Sequence, residues 1–381
     1  MAAELTPRIR AVEALALSAQ ATSRRRLLGA VGLALLAWVP LVLLRLAFPR
    51  SGPEPPITFF EDLSVHVRLL LVVPLLVLAD AVIAARTGMT MDAFERSGLI
   101  PEGQLARFQH LKARTVRLGN SAVGQAILAG IVALVIGISI RSQASHGLRW
   151  FQEQGSGGPH LSVPGWWYVA ASVMLAYLFA RHLWRYALWC WLLFRTSRLD
   201  LCLVGTHPDR AGGLGFLNVG HAAFATVPLA ASCVLASRVA TDVLQLGLSL
   251  ESFELPLLSF VALSLVVGLL PFPIFVRSLA RTKRAGLVQY GKLATRYVQA
   301  FEHKWLLGGA PAGETLLGTG DIQSLADIGG SFERLATMKG TPIDRRTVVA
   351  FVLASVLPLL PLALTVMPLD QIVKVLLRAV V

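Results

Sequence analysis

Several ionisable residues fall inside otherwise apolar stretches, and four of them stand out: Asp80, Arg181, His182 and Arg185. A charge placed in hydrocarbon costs several kcal/mol, so it is kept for a partner or for a path. Asp80 lies six residues before Arg86, about 9 Å inside the membrane boundary by helical rise. Arg181 and Arg185 share a helical face at i, i+4, with His182 beside them. Two readings follow: Asp80 with Arg181 or Arg185 is a structural ion pair, or the group lines an ion or proton path in which the arginines attract an anion and Asp80 gates it. If their helix projects from the membrane, both arginines instead snorkel to the headgroups.

A second cluster is the loop Thr206-His207-Pro208-Asp209-Arg210-Ala211-Gly212-Gly213-Leu214-Gly215-Phe216-Leu217. Pro208 biases its neighbour to extended backbone, and Gly212, Gly213 and Gly215 allow tight turns with exposed amides. Such a segment either re-enters the membrane at protein-lined depth or forms a rigid turn in which Asp209 caps the following helix. His207 and Asp209 could relay a proton, but two ligands make no zinc site. His221 is a packing histidine or a neighbour of His207. The glycine spacing is that of neither a P-loop nor a dinucleotide turn, so nucleotide binding is unsupported. No catalytic triad, zinc-protease motif or paired carboxylates can be assembled, and the three cysteines, Cys190, Cys202 and Cys233, have no metal or disulfide spacing. No catalytic residue, metal or cofactor is therefore assigned.

The elements that must position these residues are apolar helices. Of 381 residues, 55% are apolar and only 15% charged, and the mean hydropathy is +0.64. Soluble domains carry about 25% charge. The fold class expected is all-α, a polytopic transmembrane helical bundle of about seven spans. They fall at 27–48, 67–85, 120–140, 166–194, 217–237, 255–276 and 348–368, each near the roughly 20 apolar residues a bilayer requires. The fourth would run about 44 Å, so it tilts or projects. Pro271 and Pro273 should kink the sixth span, and Pro358 and Pro361 the seventh.

Lysine and arginine set the orientation. Segments 1–26, 86–119, 195–216 and 277–347 hold 25 of them, and the alternate segments hold 6. This fourfold bias places the N-terminus in the cytoplasm. It also accounts for the net charge of +13 by a basic inner face that attracts anionic lipids, with no nucleic acid required. Arg24-Arg25-Arg26 resembles a twin-arginine export signal, but the apolar run behind it is too long and lacks a cleavage site.

Outside the spans, residues 1–26 form a cytoplasmic interfacial helix with Leu5, Ile9, Val12 and Leu15 on one face. Pro101 opens a helix that could continue unbroken into the third span. Residues 277–347 form a cytoplasmic helical hairpin. Its first helix carries Leu287, Tyr290, Ala294, Val298, Phe301 and Trp305; its second starts at Asp321, carries Leu325, Ile328, Phe332 and Leu335, and is interrupted at Gly329-Gly330. The tail 370–381 carries Asp370, Lys374 and Arg378 in one stripe, for an interfacial helix or the wall of an oligomeric pore.

The run from Trp184 to Leu217 resembles a pattern in uncharacterised bacterial multi-pass inner-membrane proteins. The block from Gly320-Asp321-Ile322-Gln323-Ser324-Leu325-Ala326-Asp327 to Thr341-Pro342 is similar to a second block of the same proteins. The resemblance implies a bacterial inner-membrane location and no particular chemistry. Three functions are open: a homo-oligomeric channel or transporter for a small ion, an anion slightly preferred; a sensor or assembly protein docking a partner on the 277–347 hairpin; or an enzyme acting on lipid at the inner interface through His207 and Asp209.

Overall fold

The computed structural model describes residues 2–49, 57–143, 150–155 and 158–365. Helix α1 (Ala2–Ala47) is followed by a short α2 (Leu63–His66), which continues through a wide turn at Val67–Val72 into α3 (Val73–Arg96). The wide turn sits just before Pro74, which has no amide to offer the preceding helical turn. Helices α4 (Glu102–Gly119) and α5 (Ala122–Gln143) come next, then a hairpin of β1 (Gln152–Gly155) and β2 (Gly158–Leu161). The strands pair antiparallel, with Gln152 opposite Leu161 and Gly155 opposite Gly158.

Helix α6 (Val163–Thr196) is the long central span. After the loop 197–216 come α7 (Leu217–Ala222), one tight turn, and α8 (Thr226–Leu246). Then follow α9 (Glu254–Leu269), a tight turn at Phe272–Phe275, α10 (Val276–Trp305), α11 (Gly320–Ala336) and α12 (Arg345–Val356). The chain tightens after α12 into a narrow helix over Leu357–Thr365 that contains Pro361.

Among the described residues, six helices are long and apolar enough to cross a bilayer, or seven if α4 and α5 are one broken span. The chain is thus a multi-pass, all-helical membrane bundle. Large apolar side chains such as Val123, Ile127, Ile131 and Leu134 on α5, and Leu255, Leu258 and Val266 on α9, stay exposed, as lipid-facing positions should. One buried cluster, with Phe59, Val65, Leu69, Trp150 and Leu175, closes the end that carries the β-hairpin. There Asp62 begins α2 by accepting from the Ser64 amide at 3.1 Å, and it takes the Trp150 indole N–H at 3.0 Å. A second cluster, with Ile83, Phe94, Phe108, Leu192, Leu214, Phe275 and Leu279, closes the basic end.

Several expectations need correction. The helix expected over residues 1–26 runs directly into the first span, the backbone being helical without interruption from Ala2 to Ala47. Helices α4 and α5 do not run on: they meet at 46°, because the chain turns at Asn120 and Ser121 Oγ accepts the Gly124 amide at 3.3 Å to start a new helix. Helix α6 is longer than expected, about 51 Å by helical rise, and its last turns bury Leu188, Trp189, Leu192 and Leu193 against the bundle. The fifth span extends to Leu246, where Gly247 closes it in the left-handed conformation at φ 66°. Helix α11 passes through Gly329-Gly330 unbroken. It is held at one end by Asp321, which accepts from Lys304 Nζ at 2.8 Å and Trp305 Nε1 at 3.0 Å, and at the other by the buried Leu335. Helices α10 and α11 pack together as the expected hairpin, while the tail 370–381 lies outside the described residues.

Candidate functional site

Asp80 faces α6 from the second turn of α3, and both arginines reach it. Arg181 Nη2 lies 3.2 Å from Asp80 Oδ2, and Arg185 Nη1 lies 2.7 Å from Oδ1. Arg185 also donates to the Asp80 backbone carbonyl at 3.3 Å. Both arginine side chains thus converge on one carboxylate. One acid between two guanidinium groups leaves a positive charge over. The three side chains keep 27%, 32% and 17% of their surface open for Asp80, Arg181 and Arg185. Charged surface of that extent has to meet water or protein rather than hydrocarbon.

His182 points the other way. It is fully buried, and its Nε2 lies 2.9 Å from the carbonyl of Leu76, which fixes α6 against α3. Around the triad runs a polar seam at i, i+4, i+8 on α6: Tyr177, Arg181 and Arg185. Tyr177 donates to Gln125 Oε1 of α5 at 2.9 Å, and Gln125 in turn donates to the carbonyl of Gly119 at 2.9 Å. Toward the basic end, Arg185 lines a cavity of about 270 Å³ together with Thr87, Thr115, Asn120 and Trp189. The Trp189 indole N–H is buried with no hydrogen-bond partner among the described residues. Gln125, Asn120 and Trp189 were not singled out by sequence, since single amides and indoles in apolar runs are common and only packing brings them to one seam.

The loop 197–216 is a built turn. Asp209 Oδ1 accepts the amides of Ala211 at 2.8 Å and Gly213 at 3.2 Å, and Oδ2 accepts that of Gly215 at 2.8 Å. His207 Nδ1 lies 2.8 Å from Oδ1. Burial pushes the Asp209 carboxyl up, but the backbone donors of Ala211, Gly215 and Gly213, with His207, outweigh it and hold the group below its ordinary value. Asp209 does not cap the following helix, as expected for a rigid turn; it spends its oxygens inside the loop. Gly212 and Gly213 have φ of 67° and 94°, and Arg210 takes the left-handed conformation at 54°. Its carbonyl accepts the Lys339 amide at 2.8 Å, which ties the loop to the chain after α11.

No family model, curated protein or solved structure matches this chain. Its functional residues must therefore be weighed by geometry. His221 is fully buried among Phe272, Phe351 and Phe224, and its Nε2 meets the carbonyl of Gly268, so it packs rather than joining His207. Among the described residues, no three His, Cys, Asp or Glu side chains come together to hold a metal. A residue with no prior signal, Asn218, proves to be a junction. It donates to the carbonyls of Gly215 at 2.9 Å and Pro342 at 2.7 Å, and it accepts from the Asp344 amide and Thr347 Oγ1, each at 2.9 Å. The loop, the end of the α10–α11 hairpin and the start of α12 are thereby one rigid base.

Proposed function

We propose that this protein is an ion channel or transporter of the bacterial inner membrane, with its basic end in the cytoplasm, carrying a small ion and preferring an anion. The observation that carries this reading is the Asp80–Arg181–Arg185 triad. It keeps one uncompensated positive charge at membrane depth, partly open, beside a cavity that leads toward the basic end. A purely structural pair would need only one arginine. The spare guanidinium charge would draw an anion, and Asp80 would keep that anion from binding too tightly to leave.

The seam stops at Tyr177 and Gln125; beyond them α5 presents Ile131, Leu134 and Val135 outward. A homo-oligomer supplies the missing wall in this reading, with α5 facing its copy.

Flux through the purified protein in liposomes tests it, comparing chloride, potassium and proton for the native chain, Asp80→Asn and Arg181→Ala. Selective flux altered by both substitutions supports the proposal. Folded protein that passes none of the three ions across voltage and pH overturns it.

One observation favours the sensor or assembly reading. The turn of the hairpin exposes Leu306, Leu307 and Leu317, each more than two-thirds open, and these could dock a partner. The lipid-enzyme reading gains nothing from the loop, because both Asp209 oxygens are already taken by backbone amides.

A further inference from the structure

Helix α6 has a second face, opposite the one that carries Arg181 and Arg185. Leu183, Tyr186, Phe194 and Ser197 recur there at helical spacing and look across at α9 and the start of α10. Two separate cavities lie on this face, sharing no lining residue but both walled by α6 and by the α9–α10 stretch. The first, about 220 Å³, is walled by Leu183 and Tyr186 of α6, Val227 of α8, Leu263 and Val267 of α9, and Phe351 of α12. Its lining is almost wholly apolar, and the rims at Leu183, Leu263 and Val267 are exposed, so it opens sideways to the lipid. The second, about 720 Å³, lies past Pro273 and is rich in charge: Arg198, Arg277 and Arg281 surround it, with Ser197, Ser278 and Asp200.

The arginines have no acidic partner. Among the described residues none of the three is in an ion pair, and the one nearby carboxylate, Asp200, already accepts from Gln104 Nε2 at 2.7 Å. Arg198 lies over the Phe194 ring at 4.9 Å, which holds its guanidinium at the second cavity. Three arginines against one carboxylate leave an excess of two positive charges, which an anion would match. From Leu183 to Arg198 the two cavities flank about 22 Å of α6 by helical rise. That is half of the roughly 40–45 Å that a bilayer spans with its headgroups, the depth of one leaflet.

We infer that the two cavities together are a binding site for an anionic phospholipid of the leaflet on the basic side, with an acyl chain along Leu183, Tyr186 and Leu263 and the phosphate among Arg198, Arg277 and Arg281. A free phosphate would use the arginines but not the apolar half. A zwitterionic lipid would fill the apolar half but would leave the excess positive charge unmatched. The site lies on the far side of α6 from the Asp80 triad, so it stands or falls independently of ion flux.

Native mass spectrometry of the purified full chain tests it, with phosphatidylglycerol or phosphatidylcholine supplied in the same detergent and inorganic phosphate as a third probe. The native protein should retain phosphatidylglycerol over phosphatidylcholine. Arg198→Gln/Arg277→Gln/Arg281→Gln should lower that retention by at least about tenfold, since each basic residue at the headgroups contributes a several-fold factor. Arg284→Gln/Lys292→Gln/Arg296→Gln on the hairpin removes the same charge elsewhere and should leave retention unchanged. Leu263→Trp, which fills the apolar half, should also release the lipid. Equal retention of the two lipids, equal loss in the two triple variants, or inorganic phosphate binding that Leu263→Trp leaves intact while lipid retention is also unaffected would each overturn the assignment.

Discussion

The Tyr186 hydroxyl donates a hydrogen bond to the carbonyl of Val267, the carbonyl whose regular helical partner would be the amide that Pro271 lacks. One residue further on, the carbonyl of Gly268 is met by His221 Nε2. The proline break in the α9–α10 helix therefore exposes carbonyls that two other helices satisfy, Tyr186 from α6 and His221 from α7. In hydrocarbon no water can do this, so these side-chain donors supplement the one backbone bond that Val267 keeps, from the Leu270 amide at 3.2 Å. His221 is thus explained by the kink, and its burial among Phe272 and Phe351 is the consequence.

Replacing either donor should cost stability unequally. Tyr186→Phe leaves Val267 O with the Leu270 amide at 3.2 Å, so the loss should be about 1 kcal/mol. His221→Leu removes a fully buried donor, and the Gly268 carbonyl is left facing aromatic rings, for about 2–3 kcal/mol. Thermal unfolding of both variants in lipid nanodiscs would show it. A Tyr186→Phe loss as large as that of His221→Leu contradicts this account of the kink.

The hairpin is seated by one side chain. A Cβ on Gly205 of the loop would lie 2.4 Å from Leu335 Cδ2, and one on Gly286 of α10 would lie 2.5 Å from the same atom, so Leu335 fills a slot that only glycines leave open. Gly286→Ala should loosen α11 from the base by about 1–3 kcal/mol, and Leu335→Ala by about 2–5 kcal/mol. The pair Gly286→Ala/Leu335→Ala should be less damaged than the sum, because the added methyl occupies space the leucine gave up. Hydrogen exchange along α11 measures this, and strictly additive effects would count against the slot.

What the sequence made legible was what hydrophobic runs and long-range charge control: the all-helical class, six or seven apolar helices, the pairing of α10 with α11, and Asp80 meeting Arg181 and Arg185. These depend on patterns longer than a turn or on groups that burial forces together. The break at Asn120 was not legible, because a serine cap is a local event inside an apolar stretch. Nor was the role of Asn218, whose four bonds come from segments more than 120 residues away in one direction and three in the other. Gly329-Gly330 misled for the same reason: its intrinsic helix cost of about 1 kcal/mol per glycine is overridden by anchors at Asp321 and Leu335.

Acid should loosen the loop before it loosens the bundle. The folded state holds the Asp209 carboxyl below its ordinary value, so its contribution is complete above the unfolded carboxylate value near 3.9 and is lost as pH falls through the lower folded one. The amides of Ala211, Gly213 and Gly215 should then lose protection from exchange below about pH 4. Asp209→Asn keeps the shape but turns one acceptor into a donor facing an amide, and it should remove that acid limb while exposing the same amides at neutral pH. Protection of these three amides that is flat with pH in the native chain would show that Asp209 does not hold them.

The spare charge at Asp80 makes an asymmetric prediction. Asp80→Asn leaves Arg181 and Arg185 facing each other with no counter-charge. It should cost about 2–3 kcal/mol, less than the roughly 3–5 for a fully buried pair because these side chains are partly open. Arg185→Met removes the 2.7 Å contact and leaves Asp80 with its longer partner, for an intermediate loss. Arg181→Met instead leaves one acid against one base, a neutral pair at membrane depth, and should be neutral or slightly stabilising. Excess charge in a bilayer has no packing use, so the anion-path reading is what gives the second arginine a role. Arg181→Met should therefore raise the unfolding temperature while lowering anion flux in liposomes. If it unfolds as readily as Asp80→Asn, the second arginine is structural and the case for an anion path through this triad is lost.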